Sequence, residues 1–129
     1  MVVFAHHRLI IDYILEEYAR YLPVVVRGGM SAEKKQSAVD KFTYDKGCKL
    51  FVGNIQAAGV GLNLQVASHI IFVEQSWVPG EMDQAVDRCH RMGQKNAVLA
   101  QCLVVKGSVE EQMMGSVIQK ARNIRRVLQ

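Results

Sequence analysis

The stretch VVFAHHRLIIDYILEEYARYLPVVV, residues Val2–Val26, decides the fold class. Two short apolar runs, Val2-Val3-Phe4-Ala5 and Val24-Val25-Val26, flank a segment in which Ile10, Ile11, Ile14, Leu15 and Tyr18 recur at helical spacing. An apolar run without polar alternation reads as a strand buried on both faces, and the recurrence between the two runs reads as an amphipathic helix. The spacing predicts a helix over Arg8–Tyr21, stopped by Pro23. Strand, helix and strand of this kind form the βα unit of a parallel sheet.

The rest of the chain repeats the pattern. After Val26 the pair Gly28-Gly29 marks a sharp turn. Ser31 is placed to cap a helix running to Phe42; Glu33 stands one position too early to complete a capping box, and Lys34 occupies that position. Further strands are expected at Leu50–Val52, Ile70–Val73 and Val98–Val105, with the small-residue loop Ala57-Ala58-Gly59-Val60-Gly61 after the first of these. Pro79 suits the first turn of a helix that reaches about Met92. Ser108 caps a last helix running toward Leu128. No repeat or long linker interrupts the order, so residues 1–129 read as one α/β domain with a mostly parallel sheet. The first strand begins at the second residue, and the sequence is expected to be cut from a longer chain.

Composition narrows the function classes. The chain has 129 residues, half of them hydrophobic, which suffices for one domain with a real core. Sixteen basic against twelve acidic residues leave a net charge of +4, a mild bias that permits nucleic-acid contact without demanding it. The three cysteines, Cys48, Cys89 and Cys102, form no CxxC pair and are odd in number, the usage of a reducing interior. Neither they nor His6, His7, His69 and His90 show metal-ligand spacing, so no metal site is expected. No apolar run approaches a membrane span and no signal peptide opens the chain.

Ligands of parallel α/β sheets collect at the carboxyl ends of the strands. His6-His7, Arg27-Gly28-Gly29, the loop Gly53–Gly61 and the stretch Glu74–Pro79 fall there. The most specific segment is Gln84-Ala85-Val86-Asp87-Arg88-Cys89-His90-Arg91-Met92-Gly93-Gln94. On a helix Gln84, Arg88 and Arg91 share one face. Two guanidiniums and an amide on one stripe suit a polyphosphate, because the planar fork of arginine meets phosphate oxygens bidentately and keeps its charge. A solvated face in which Asp87 pairs with Arg91 is the plain alternative.

That helix does not stand alone. Asn54-Ile55-Gln56-Ala57-Ala58-Gly59-Val60-Gly61-Leu62-Asn63-Leu64, then Trp77-Val78-Pro79, then the helix motif, come in fixed order. Together they resemble the C-terminal motor lobe of the SWI/SNF-type DNA-dependent ATPases of helicase superfamily two. The family's three pieces look like A-G-G-x-G-L-N-L, W-N-P and Q-A-x-D-R-x-H-R-x-G-Q. The resemblance covers nearly the whole chain, and the run Ile55-Gln56-Ala57-Ala58 is nearest its annealing-helicase branch. It implies a RecA-like, three-layer α/β/α fold.

The resemblance also implies roles. Arg88 and Arg91 would be catalytic, reaching the γ-phosphate of ATP held by another lobe. Gln84, Gly59 and Gly61 would lie at the nucleotide, with a tight turn the lesser alternative for the glycines. His7, Arg27, Lys34, Lys35, Gln56 and Trp77 would contact DNA, with core packing the alternative for Trp77. The basic stripe Arg122, Arg125 and Arg126 reads first as a solvated helix end. Departures from the pattern fall mainly on the DNA side: Gly28-Gly29 for D-G, Lys35 for an arginine, Gln56 for a basic residue, Glu74 for an aspartate and Val78 for asparagine. Met92 stands for the usual isoleucine.

Phosphoryl transfer needs a phosphate cradle, a metal and a positioned nucleophile besides charge stabilisation. The sequence contains no G-x-x-x-x-G-K-[ST] and no D-E-x-H box. Two readings follow. In one, the chain is the second lobe of a double-stranded-DNA translocase, without ATPase activity alone, monomeric in isolation. ATP and Mg²⁺ would then be held mainly by the N-terminal RecA-like ATPase lobe of the same parent chain. In the other it is a stand-alone, degenerate nucleic-acid-binding module. Either works inside the cell, in cytoplasm or nucleoid, or in the nucleus.

Overall fold

A computed structural model describes residues 1–57, 62–74, 76, 79–90, 94–104 and 107. Five strands, β1 (Val2–Ala5), β2 (Val24–Val26), β3 (Phe51–Asn54), β4 (His69–Phe72) and β5 (Leu99–Cys102), form one sheet in the order β2-β3-β1-β4-β5. Every pairing is parallel, with Val2 opposite both Phe51 and Ile70, and His69 opposite Leu99. Among the described residues three α-helices, α1 (Arg8–Glu17), α2 (Ala32–Tyr44) and α3 (Pro79–Asp87), divide between the faces. The result is a three-layer RecA-like α/β/α domain.

Period-two alternation along the strands assigns the faces. Val2, Phe4, Val26, Phe51, Ile70 and Phe72 look toward α2 and α3, where they join Val39, Phe42, Leu62, Leu64 and Ala85 in the larger core. Val3, Ala5, Leu50 and Val52 look the other way and meet Ile11 and Ile14 of α1. The rings of Phe4 and Phe72 stack across β1 and β4 with centroids 5.5 Å apart. Beside them Gly53 packs closely: a Cβ there would lie 3.1 Å from the rings of Phe4 and Phe51, which would have to give by a few tenths of an ångström. Because α2, α3 and the β3–β4 connection all serve one face while α1 serves the other, each crossover has the hand that parallel sheets favour.

Three helix ends differ from the sequence expectation. The first helix stops at Glu17, and Ala19–Tyr21 continues as a 3₁₀ turn. There Leu22 takes a left-handed conformation (φ 51°), which reverses the chain ahead of Pro23 and β2. The second starts as read, with Ser31 Oγ accepting from Lys34 N–H at 3.2 Å, but runs two residues past Phe42. The third ends at Asp87 rather than Met92, and the carbonyls of Arg88 and Cys89 just beyond it accept from Leu64 and Gln94 instead of continuing the helix. Strand limits shift by a few residues, most at β5, which is half as long as expected. Gly29 (φ 83°) makes the turn after β2. The last helix expected from Ser108 lies outside the described residues.

Candidate functional site

At the carboxyl edge of the sheet the ends of β1, β3 and β4 are tied together by two side chains. Glu74, just beyond β4, accepts hydrogen bonds from the backbone N–H groups of His6 at 2.6 Å and His7 at 2.7 Å, and its other oxygen pairs with His7 Nδ1. Asn54, the last residue of β3, donates to the His6 carbonyl at 2.9 Å. Its Oδ1 accepts from Gln56 N–H at 3.0 Å and Ala57 N–H at 3.3 Å. The His6 peptide is therefore gripped on its donor and its acceptor side. Burial pushes the Glu74 carboxyl up, but the hydrogen bonds from His7 and His6 outweigh it and hold the group below its ordinary value of 4.5.

Several of the residues singled out in the sequence lie at this same edge. His7 caps α1 and is exposed, and Gln56 is exposed directly after β3. Lys34 and Lys35 lie in the first turn of α2, which starts from the carboxyl side of β2; Lys34 is exposed and Lys35 half-buried. Arg27 follows β2, but its guanidinium turns onto Asp12 of α1, with Nη1 2.6 Å from the carboxylate. Asp12 therefore competes with any external anion for Arg27. Trp77 lies outside the described residues.

The arginine segment sits at the other end of the sheet. Like every crossover helix, α3 starts beyond the carboxyl end of its strand and runs back toward the amino edge. Gln84 is exposed, and the hydrogen bond from Arg88 N–H to the Gln84 carbonyl (3.2 Å) carries one more helical step past Asp87. Those two residues thus keep the shared face expected of them. Next to them the Arg88 carbonyl accepts from Leu64 N–H at 2.9 Å. Leu64 belongs to the segment that leads from the glycine loop into β4. Arg91, Gly59 and Gly61 lie outside the described residues.

Gln94, the last residue of the motif, fixes this junction. Its amide nitrogen donates to the carbonyls of Ala67 (2.7 Å), Gln65 (2.8 Å) and Cys89 (3.2 Å), and its oxygen accepts from Asn96 N–H at 3.1 Å. One neutral side chain thus joins the loop before β4, the turn after α3 and the approach to β5. Beside Arg88, burial pushes the Cys89 thiol up to about 11, so it stays protonated at neutral pH and acts as a small apolar core residue.

Asn54, Glu74 and Gln94 are the positions that motif reading left without a role. Gln94 closes a matched motif and Glu74 replaces a family aspartate, so each carried a signal. Their long-range partners are 27 to 68 residues away in sequence and could not be read from it. Among the described residues no group of three or more His, Cys, Asp or Glu could hold a metal ion, and no helix is long and apolar enough to cross a membrane.

Known proteins are similar to this chain in sequence and fold. The model of the helicase conserved C-terminal domain matches residues 1–93. The human DNA annealing helicase and endonuclease ZRANB3 is 34% identical over 125 residues, which are 94% of this chain and 11% of that protein. The SWI/SNF-related matrix-associated actin-dependent regulator of chromatin subfamily A-like protein 1 of Xenopus tropicalis is 36% identical over 123 residues, 94% of this chain and 13% of that one. The chain therefore spans little more than a tenth of these relatives. Among solved structures, the C-terminal part of the Fun30 ATPase domain superposes with a TM-score of 0.81 at 32% identity, covering 88% of this chain and 37% of that one.

Proposed function

This chain belongs to the helicase conserved C-terminal domain family as a second RecA-like lobe of the SWI/SNF type, and from that premise we propose that it is the arginine-finger half of an ATP-driven motor on double-stranded DNA. Residues 1–129 are one lobe of a longer protein, whose N-terminal RecA-like lobe supplies the phosphate cradle and the metal carboxylates. Arg88 and Arg91 face the polyphosphate across the closed interface, with Gln84 positioning the first of them and Gly59 and Gly61 allowing close backbone approach. When ATP and Mg²⁺ are bound in the partner lobe, they supply the transferable phosphoryl group and the charge that polarises it.

The residues of this lobe fit that division. Guanidinium and amide groups can line one wall of a polyphosphate site. The observation that carries the reading is the junction at the amino edge. Leu64 N–H and the Gln94 amide join the arginine segment to the end of the glycine loop, so both pieces of the nucleotide wall move as one body. The loop begins at the carboxyl edge, where Asn54 holds Gln56 and Ala57. One connection thus runs from the arginines to the DNA-facing edge, the mechanical link a translocase requires. On that edge His7, Lys34, Lys35 and Gln56, with Arg27 once released from Asp12, meet backbone phosphates, and Trp77 is the remaining candidate for DNA contact. Binding there is weak, indifferent to base sequence and steeply salt-dependent.

The test is DNA-stimulated ATP hydrolysis by the two-lobe protein. Arg91→Ala should lower turnover by about a thousand- to a hundred-thousand-fold while leaving DNA binding nearly intact. Arg91→Lys should rescue poorly, since it keeps the charge and loses the fork. Asp87→Ala is the control, because a surface pair with Arg91 would contribute only about 0.3–0.5 kcal/mol. Turnover of Arg91→Ala within a few-fold of the parent overturns the arginine-finger role. The isolated chain should hydrolyse no ATP. If a longer parent carries no phosphate cradle, the stand-alone binding module replaces this reading.

A further inference from the structure

The ion pairs between described residues, His7 with Glu74 and Arg27 with Asp12, both fall at the carboxyl edge, each on a side chain singled out as a DNA contact. Lys34 and Lys35 at the start of α2 make no ion pair with a described residue. Arg27 stands apart from them in another respect. Val25 packs in the core on the α1 face and Val26 in the core opposite, and Arg27, next along the chain, turns to the α1 face. There its Nη1 lies 2.6 Å from the Asp12 carboxylate. The two lysines open the helix of the other face. The paired guanidinium is thus withdrawn from the cations that stand at the edge.

The two partners are not equally free. Asp12 stands between Ile11 and Ile14, both buried in the α1 core, so the helix fixes the place of its carboxylate. Arg27 carries its charge on a long side chain directly before Gly28 and Gly29, where a Cβ would meet nothing within 4 Å. That turn leaves the guanidinium an open route to the edge. The Asp12 side chain is 50% exposed and that of Arg27 24%, so the pair forms in contact with water. A dry ion pair is hard to part and acts as a fastener. One that is half in water contributes little and exchanges its partners.

We propose that Asp12 sets the DNA affinity of this lobe by standing in for a backbone phosphate on Arg27. It parks the guanidinium between encounters, and a phosphate has to displace it. This rests on the reading of the carboxyl edge as the DNA-facing one. A guanidinium meets carboxylate and phosphate with the same fork of donors, so the displacement exchanges one charge-assisted contact for another. What Arg27 adds to binding is only the difference between the two. The lobe therefore grips more weakly than its cations alone would make it, which favours release.

Titration of labelled duplex with the 129-residue chain at low salt, read by fluorescence anisotropy, tests it. Asp12→Asn keeps the shape and removes the charge, and the side chain is half exposed, so the fold stays intact. It should tighten binding about two- to fivefold, the factor that parting an exposed ion pair costs the parent. In the Arg27→Ala background the same substitution should give no such gain, because no guanidinium is left to release. An Asp12→Asn chain that binds no more tightly than the parent would overturn the proposal. So would a gain of the same size without Arg27, which would assign the effect to overall charge. Lys34→Ala/Lys35→Ala separates the proposal from the reading beneath it. That pair should weaken binding whether or not Asp12 acts on Arg27; if binding is unchanged, the edge does not face DNA and both fall.

Discussion

At the carboxyl edge of the sheet the Glu74 carboxylate and the Asn54 amide hold the backbone of His6 and His7 with short hydrogen bonds in a half-exposed setting. At the amino edge Gln94 holds three carbonyls with a neutral amide among the buried Leu64, Ala67 and Cys89. Under the proposed function the difference follows from what each edge would meet. Side chains that face a solvated polyanion must stay in water, where charge is readily solvated and screened. Side chains that would set the position of an arginine must not drift, and a part-buried amide network exchanges with water less readily than an exposed carboxylate. The clamp is therefore sensitive to pH, and the amide network is not.

Breaking the amino edge is the larger perturbation. Gln94→Ala removes the donor from three carbonyls at once, and its cost is expected at about 2–3 kcal/mol, constant with pH, by urea denaturation. A loss within experimental error would show that water replaces the amide freely and that the junction is not rigid.

The carboxyl edge should yield less and respond to acid. The folded pKa of Glu74 is depressed, so its carboxylate contributes stability above the ordinary value of 4.5 and loses it as pH falls through the depressed value. Glu74→Gln keeps one acceptor oxygen, and the expected cost at neutral pH is about 1 kcal/mol. The gap to the parent should close in acid; a gap that is the same at every pH would assign the effect to shape rather than charge.

The same contrast explains what could be read in the sequence. The buried runs Val2–Ala5 and Val24–Val26 announced parallel strands because no polar residue interrupts them, and Ser31 announced α2 because its side chain caps locally. Both are local facts. The position of β1 between β3 and β4 is not local, and neither is the early end of α3. The apolar stripe of that helix continues to Met92, yet Leu64 takes the Arg88 carbonyl and Gln94 the Cys89 carbonyl, and the chain turns. Of the site, the residue types were legible from the motif, and Gln84 and Arg88 keep their shared face. The separation of the arginine segment from the DNA-facing candidates, at opposite edges of one sheet, was visible only once the strands were paired.

That separation is tested most directly by measuring duplex affinity and ATP turnover on two variants of the two-lobe protein, Arg88→Ala and the pair Lys34→Ala/Lys35→Ala. Arg88→Ala should lower turnover by about a thousandfold or more and leave the salt dependence of DNA binding unchanged. The lysine pair should weaken binding and flatten its logarithmic salt slope by about one for each phosphate no longer neutralised, with turnover at saturating DNA within a few-fold of the parent. An Arg88→Ala variant that binds DNA poorly and hydrolyses ATP normally, or lysine variants that lose turnover in proportion to the arginine variant, would contradict the assignment of the two edges.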